Sequence, residues 1–181
     1  INFLRKEKKK SMKIMEMLTE ASIEYVKNQV KSGIDCFQLF ETYSGIISNE
    51  DYKNFILPLS TKILLEARQS GVPTIFFPKN FNEGLKYINK EMCDYVSVDY
   101  DISLDNARNL LDSEVGIQGN MDPKIFYQEI DEIENYLKSL IDFGSKNTDW
   151  IFNLGHGFRP DIDHIKVKYV VEWIKNANWK R

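Results

Sequence analysis

The sequence predicts an α/β protein built on a parallel sheet, and three observations predict it. Five short stretches are rich in β-branched or aromatic residues and apolar on both faces, as strands covered on both sides must be. Helical patterns fill the intervals in strict alternation, and parallel strands require such crossovers. The chain of 181 residues is 43% apolar, enough to bury one core, and no apolar run approaches the ~18 residues of a membrane span.

The first helix is predicted from Ile14, Leu18, Ala21 and Tyr25, which recur at helical spacing and precede Gly33, a natural stop. The first strand follows at 34–41 (IDCFQLFE). Ser48 with Asp51 then caps a helix carrying Phe55, Leu59, Ile63 and Ala67. Pro58 should kink or divide that helix, and Gly71 end it. Strand two is 72–79 (VPTIFFPK), followed by a short helix at 82–92. Strand three is 95–100 (YVSVDY), followed by a helix at 103–111. Strand four is 115–120 (VGIQGN). Asp122 and Pro123 are an N-cap and a favoured first-turn proline, opening a helix with Ile130, Ile133, Leu137, Leu140 and Ile141 that stops at Gly144. Strand five is 150–156 (WIFNLGH). Asp163 caps the last helix, with Val167, Val170, Val171 and Ile174 inward. Five units do not close a barrel, which takes eight strands, whereas a doubly wound sheet of five would be complete. No G-x-G-x-x-G follows strand one, so the dinucleotide-binding version has no support.

Charge narrows the partners. The formal net charge is -3, yet residues 1–13 hold Arg5, Lys6, Lys8, Lys9, Lys10 and Lys13 against Glu7, so the rest is acidic. A general nucleic-acid binder would spread cations over a folded face. The cluster reads as a solvated lead-in to the first helix, and 14–181 as part of one domain. It is neither a secretory signal nor an Arg-rich transit peptide. Cys36 and Cys93 have no zinc spacing and read as reduced core residues of an intracellular protein.

In either architecture the site lies beyond the carboxyl ends of the strands. That rule selects Glu41–Ser44, Lys79 and Asn80, Asp99–Asp101, Gln118–Asn120 with Asp122, and Asn153–Gly157. His156 is the sharpest residue, flanked by Gly155 and Gly157, which would let backbone approach a ligand. It can hydrogen-bond an anion or move a proton near neutral pH, or bond a loop carbonyl. Asp122 already occupies the free N–H groups of its helix start, so no anion site is expected there. Lys79 as a Schiff-base lysine would need a depressed pKa, and nothing shows one. Asp99 and Glu41 could pair for acid–base work, although such residues more often bond loop amides. His164 reads as solvated. No metal, P-loop or G-x-S-x-G motif occurs.

Four segments carry a resemblance. GIQGNMDP (116–123), IFNLGHGFRP (151–160), GIDCFQLFETYSG (33–45) and YVSVDY (95–100) are similar, in order and spacing, to the carboxyl-terminal half of the uroporphyrinogen decarboxylase family. The resemblance implies a (β/α)8 TIM-type barrel, of which this chain supplies about five strand–helix units, strands four to eight. It implies a homodimer in the cytoplasm or a plastid, without membrane or nucleic-acid partners. The implied reaction is cofactor-free decarboxylation of the acetate side chains of uroporphyrinogen III, a tetrapyrrole, to coproporphyrinogen III in haem synthesis. Thr42 matches a substrate-contacting hydroxyl, usually Ser. Phe40 matches an aromatic of the cleft wall, and His156 the histidine that contacts a substrate carboxylate. Arg159 is unusual for the family. The family's R-Q-A-G-R loop and catalytic aspartate are absent here and expected upstream of Ile1, so the chain alone should be catalytically incomplete. Two alternatives remain. One is a zinc-dependent cobalamin or thiol methyltransferase of the same superfamily, the other a non-catalytic tetrapyrrole-binding protein.

Overall fold

In a computed structural model that describes residues 6–179, the chain forms a five-stranded parallel sheet with helical crossovers. The strands are β1 (Phe37–Glu41), β2 (Thr74–Pro78), β3 (Tyr95–Ser97), β4 (Gly116–Met121) and β5 (Trp150–Leu154). All five fall inside the predicted stretches or within one residue of them. The sheet order is sequential, β1-β2-β3-β4-β5. A doubly wound sheet would reverse its order at a switch point, so the consecutive order is that of a barrel wall.

The sheet also curls. Gln118 Nε2 on β4 donates to Gln38 Oε1 on β1 at 3.4 Å. Those strands are three places apart, ~14 Å in a flat sheet at the usual strand spacing. Only a concave face brings the two amides together. The convex face carries Leu39, Phe76, Val96, Ile117 and Trp150 in one register row. Phe76, Val96 and Ile117 are fully buried there, in a core shared with Leu64, Ala67, Ala107, Ile133 and Leu137 from the crossover helices. The two faces are thus chemically different: apolar toward the helices, mixed and partly open on the concave side.

The helices are α1 (Lys8–Lys31), α2 (Leu57–Gln69), α3 (Leu104–Leu110), α4 (Ile130–Ser139), α5 (Ile141–Lys146) and α6 (His164–Asn176). The predicted caps are made: the side chains of Ser48, Asp122 and Asp163 accept from the amides of Asp51, Lys124 and Ile165, and Ser103, not predicted as a cap, accepts from Asn106 N in the same way. A single helical turn (Asn49–Asp51) and a wide π turn (Tyr52–Ile56) precede α2. The widening falls just before Pro58, which has no N–H to continue the ladder. Gly71 ends the unit at φ 81°.

Several expectations are corrected. The segment at 82–92 is a 3-10 helix, Asn82–Tyr87, rather than an α-helix. The chain after Pro123 makes a 3-10 turn, then restarts at α4, where Glu129 and Glu132 form a reciprocal cap. The helical run continues past Gly144 to Lys146. Val171 is 45% exposed, while Val170 is buried. Cys93 is buried as predicted, but Cys36 is exposed. The apolar stripe from which α1 is read faces out: Ile14, Leu18 and Tyr25 are 48%, 62% and 67% exposed. The buried side is Ser11, Thr19 and Val26, against α2. Of the basic cluster, residues 1–5 lie outside the described residues, and Lys8, Lys9, Lys10 and Lys13 stand on α1. No helix among the described residues is long and apolar enough to cross a membrane.

Candidate functional site

Parallel strands place their carboxyl ends along one rim, and bonds between successive loops tie that rim together. After β1, Ser44 Oγ donates to Lys79 O beyond β2, and Gly45 N reaches the same carbonyl at 3.1 Å. Asp99, buried at the end of β3, accepts from Asn80 N at 2.7 Å and Asp101 N at 3.0 Å. Asn120 on β4 donates to Asp99 O at 2.8 Å and to Ile102 O. Gly155 N after β5 donates to Met121 O at 2.9 Å. A continuous bonded rim therefore runs from the first loop to the last.

This assigns several predicted residues. Asp99 serves loop amides and does not pair with Glu41; both its oxygens are engaged. Glu41 is half-buried at the end of β1, and burial pushes its carboxyl above the ordinary range. Asp122 holds Lys124 N, as expected of a cap. Gly155 approaches the protein's own backbone rather than a ligand. A Cβ there would run into Tyr100 N and come within 2.9 Å of Asp99 C. Gly157 has open space around it.

The concave face carries the candidate site. A cavity of about 440 Å³ is lined by Gln38 and Phe40 of β1, Phe77, Ser97, Asn153 and Leu154, with His156–Phe158 beyond β5. It touches both edge strands because the sheet curls. Phe40 and Phe77 meet edge to face, ring centroids 6.1 Å apart. Below them Gln118 Nε2 donates to Ser97 Oγ at 3.1 Å, completing a Gln38–Gln118–Ser97 band. Sequence reasoning alone passes over Gln38 and Ser97. Their signal is polarity at alternate positions of strands that are otherwise apolar on both faces.

Of the predicted site residues, Phe40 and His156 share this cavity. Thr42 is exposed just past β1 and lines neither this cavity nor its neighbour across His156. His156 Nδ1 lies 3.0 Å from Gly157 O. A carbonyl only accepts, so Nδ1 carries the hydrogen and Nε2 is left for a ligand. The histidine satisfies a loop carbonyl and keeps a second nitrogen to offer. Among the described residues no group of three or more His, Cys, Asp and Glu could hold a metal ion. Cys36 and Cys93 precede β1 and β3, at the end of the sheet opposite His156. The arrangement suits a ligand with a flat apolar body, held by aromatic edges and amides, and an acceptor or anionic group at His156.

Comparison with known proteins gives a consistent pattern. The family model described as "Uroporphyrinogen decarboxylase (URO-D)" matches residues 1–177. The uroporphyrinogen decarboxylase of Geobacter sulfurreducens is 30% identical over 92% of this chain and 49% of its own length. That of Geotalea daltonii is 34% identical over 89% of this chain and 47% of its own. That of Francisella philomiragia is 34% identical over 90% and 48%. The chain spans about half the length of the curated relatives it matches. Among solved structures, a Listeria monocytogenes protein described as a vitamin-B12 independent methionine synthase superposes with TM-score 0.63 at 14% identity, covering 97% of this chain and 57% of that one. At that identity the likeness concerns fold alone.

Proposed function

We infer the function from the premise that this chain belongs to the uroporphyrinogen decarboxylase family, whose model spans residues 1–177. The five units are read as strands four to eight of a (β/α)8 barrel, and the chain as the carboxyl-terminal part of a decarboxylase. The proposed reaction is cofactor-free loss of carbon dioxide from the acetate side chains of uroporphyrinogen III, giving coproporphyrinogen III. The pyrrole, once protonated on the ring, accepts the electron pair released as the C–C bond to carbon dioxide breaks. The resulting exocyclic carbon then takes a proton and the ring gives its added proton back, for a net uptake of one proton. This chain binds and shields. Phe40 and Phe77 bear on the macrocycle and exclude water beside it. His156 contacts a substrate carboxylate through Nε2, and Thr42 offers a hydroxyl from the mouth. The aspartate that would grip the pyrrole nitrogens belongs to the missing half, so the chain alone is inactive. A homodimer in the cytoplasm or a plastid belongs to the same reading.

The observation that carries it is the meeting of Phe40 and His156, from opposite edges of the sheet, in one cavity. The methyltransferase reading needs His and Cys together on zinc, and here they stand at opposite ends of the sheet. The test is a steady-state assay of coproporphyrinogen formation. The isolated chain should give none, and the chain joined to the amino-terminal half of the Geobacter sulfurreducens relative should give product. Turnover by the isolated chain would reject incompleteness. Porphyrin binding with no turnover in the joined protein would favour the non-catalytic reading.

A further inference from the structure

His156 is the wall between two concavities, and the second is cationic. It has a volume of about 270 Å³ and draws on four successive strand ends. Lys79 comes from beyond β2, Tyr100 from beyond β3, Lys124 from beyond β4, and Arg159 follows His156 beyond β5. One carboxylate, Asp122, also lines the hollow, and Asp161 lies beside it; each has one oxygen held by a neutral donor. Asp122 Oδ1 accepts from Lys124 N at 2.9 Å, and Asp161 Oδ1 accepts from Tyr127 Oη at 3.0 Å. Among the described residues, Lys79, Lys124 and Arg159 form no ion pair within 4.0 Å, whereas Arg68, Lys90, Arg108, Lys138 and Lys146 each do. Three cations without a direct ion pair, against the one carboxylate of Asp122, converge on one hollow in a chain of net charge -3. Three cations outnumber the single carboxylate, Asp122, that lines the hollow, so they still repel one another, and an anion arriving there relieves part of that repulsion. A guanidinium beside two ammonium groups offers paired donors to a planar oxyanion.

We propose that this hollow binds a carboxylate arm of the ligand whose apolar body rests on Phe40 and Phe77, with Lys124 and Arg159 setting its preference for polyanionic substrates. His156 stands at the junction of body and arm. The proposal rests on the tetrapyrrole reading for the ligand's identity, but the carboxylate hollow stands on its own geometry.

The test uses the 181-residue chain and two probes: uroporphyrin, followed by fluorescence quenching, and benzene tricarboxylate, followed by calorimetry. The wild type is compared with Lys124→Gln, Arg159→Gln, the double variant, and Lys62→Gln as a control on an exposed helix face. Each single change should weaken binding of both probes by about two- to fivefold, as exposed charge contacts do. The double variant should lose about tenfold, and its affinity should depend less on salt. Lys62→Gln should match the wild type. A double variant with wild-type affinity for both probes overturns the proposal, even if uroporphyrin binds. So does a wild type that binds neither probe. Binding of the tricarboxylate through Lys124 and Arg159, with no binding of uroporphyrin, upholds the hollow and removes the tetrapyrrole reading.

Discussion

Gly155 shows how much of this site depends on a missing atom. Its backbone lies against Tyr100 and Asp99, and Asn120 O is 3.1 Å from where a Cβ would stand. These are main-chain neighbours that cannot turn aside as a side-chain end can. Gly155→Ala should therefore lose about 1–3 kcal/mol by urea denaturation, the usual penalty for overpacking. Gly157→Ala meets open space and should change stability by less than about 0.5 kcal/mol. Equal effects in the two variants would mean that the last loop is not seated on β3. Both glycines look alike in the sequence, as companions of His156. Only packing separates the one that docks the loop from the one that frees it. For the same reason Asp99 is visible in sequence as a strand-end carboxylate, while its two backbone partners are not.

At the scale of the element, the opposite end of the sheet is held by Asp94. Its carboxylate accepts from Thr74 N and Oγ1 at 3.0 Å and from Lys90 Nζ at 3.0 Å, with Arg68 Nε at 3.5 Å. Burial alone would raise its pKa, but the bonds from Lys90 and Thr74 outweigh burial and hold it below the ordinary value. A lowered carboxylate pKa means stability that is present above the unfolded value, ~3.9, and is lost as pH falls through the folded one. Asp94→Asn should cost about 1–3 kcal/mol at pH 7. The gap to wild type should begin to narrow near about pH 4 and close only as pH falls through the lowered folded value, where the wild-type carboxyl is also protonated. A gap that persists unchanged in acid would remove the charge from the explanation.

The strands were readable because a parallel strand buried on both faces writes a run of apolar residues that few other elements share. The face of α1 was not. Periodicity reports that Ile14, Leu18, Ala21 and Tyr25 form a stripe, but not which neighbour covers it. In this chain the stripe is open, and the side against α2 is the less apolar one, Ser11, Thr19 and Val26. Val26→Ala should therefore destabilise by about 1–3 kcal/mol. The pair Leu18→Lys with Tyr25→Lys should leave the denaturation midpoint of the isolated chain nearly unchanged and reduce its self-association by light scattering. The same pair should block recovery of activity with an amino-terminal half. Loss of folding in the lysine pair would show that the stripe is packed within this chain.

At the scale of the whole molecule, the sheet order among the described residues leaves β1 and β5 each with one neighbour. A closed barrel has no such edges, whereas an open curled sheet presents two rows of unpaired N–H and C=O groups. The Gln38–Gln118 bond shows that curvature toward closure is already set within these five strands. On the proposed barrel reading, a further wall would stand between these edges, and the chain spans about half the length of the relatives it matches. Amide hydrogen exchange reads this directly. In the isolated chain, β2, β3 and β4 should be protected throughout, while alternate amides of Phe37–Glu41 and Trp150–Leu154, those pointing away from the sheet, should exchange rapidly. Supplying an amino-terminal half should slow those edge amides together, because one inserted wall pairs with both. Protection of only one edge would describe docking without closure. Edges already slow in the isolated chain would mean that the arc closes on something other than the proposed half.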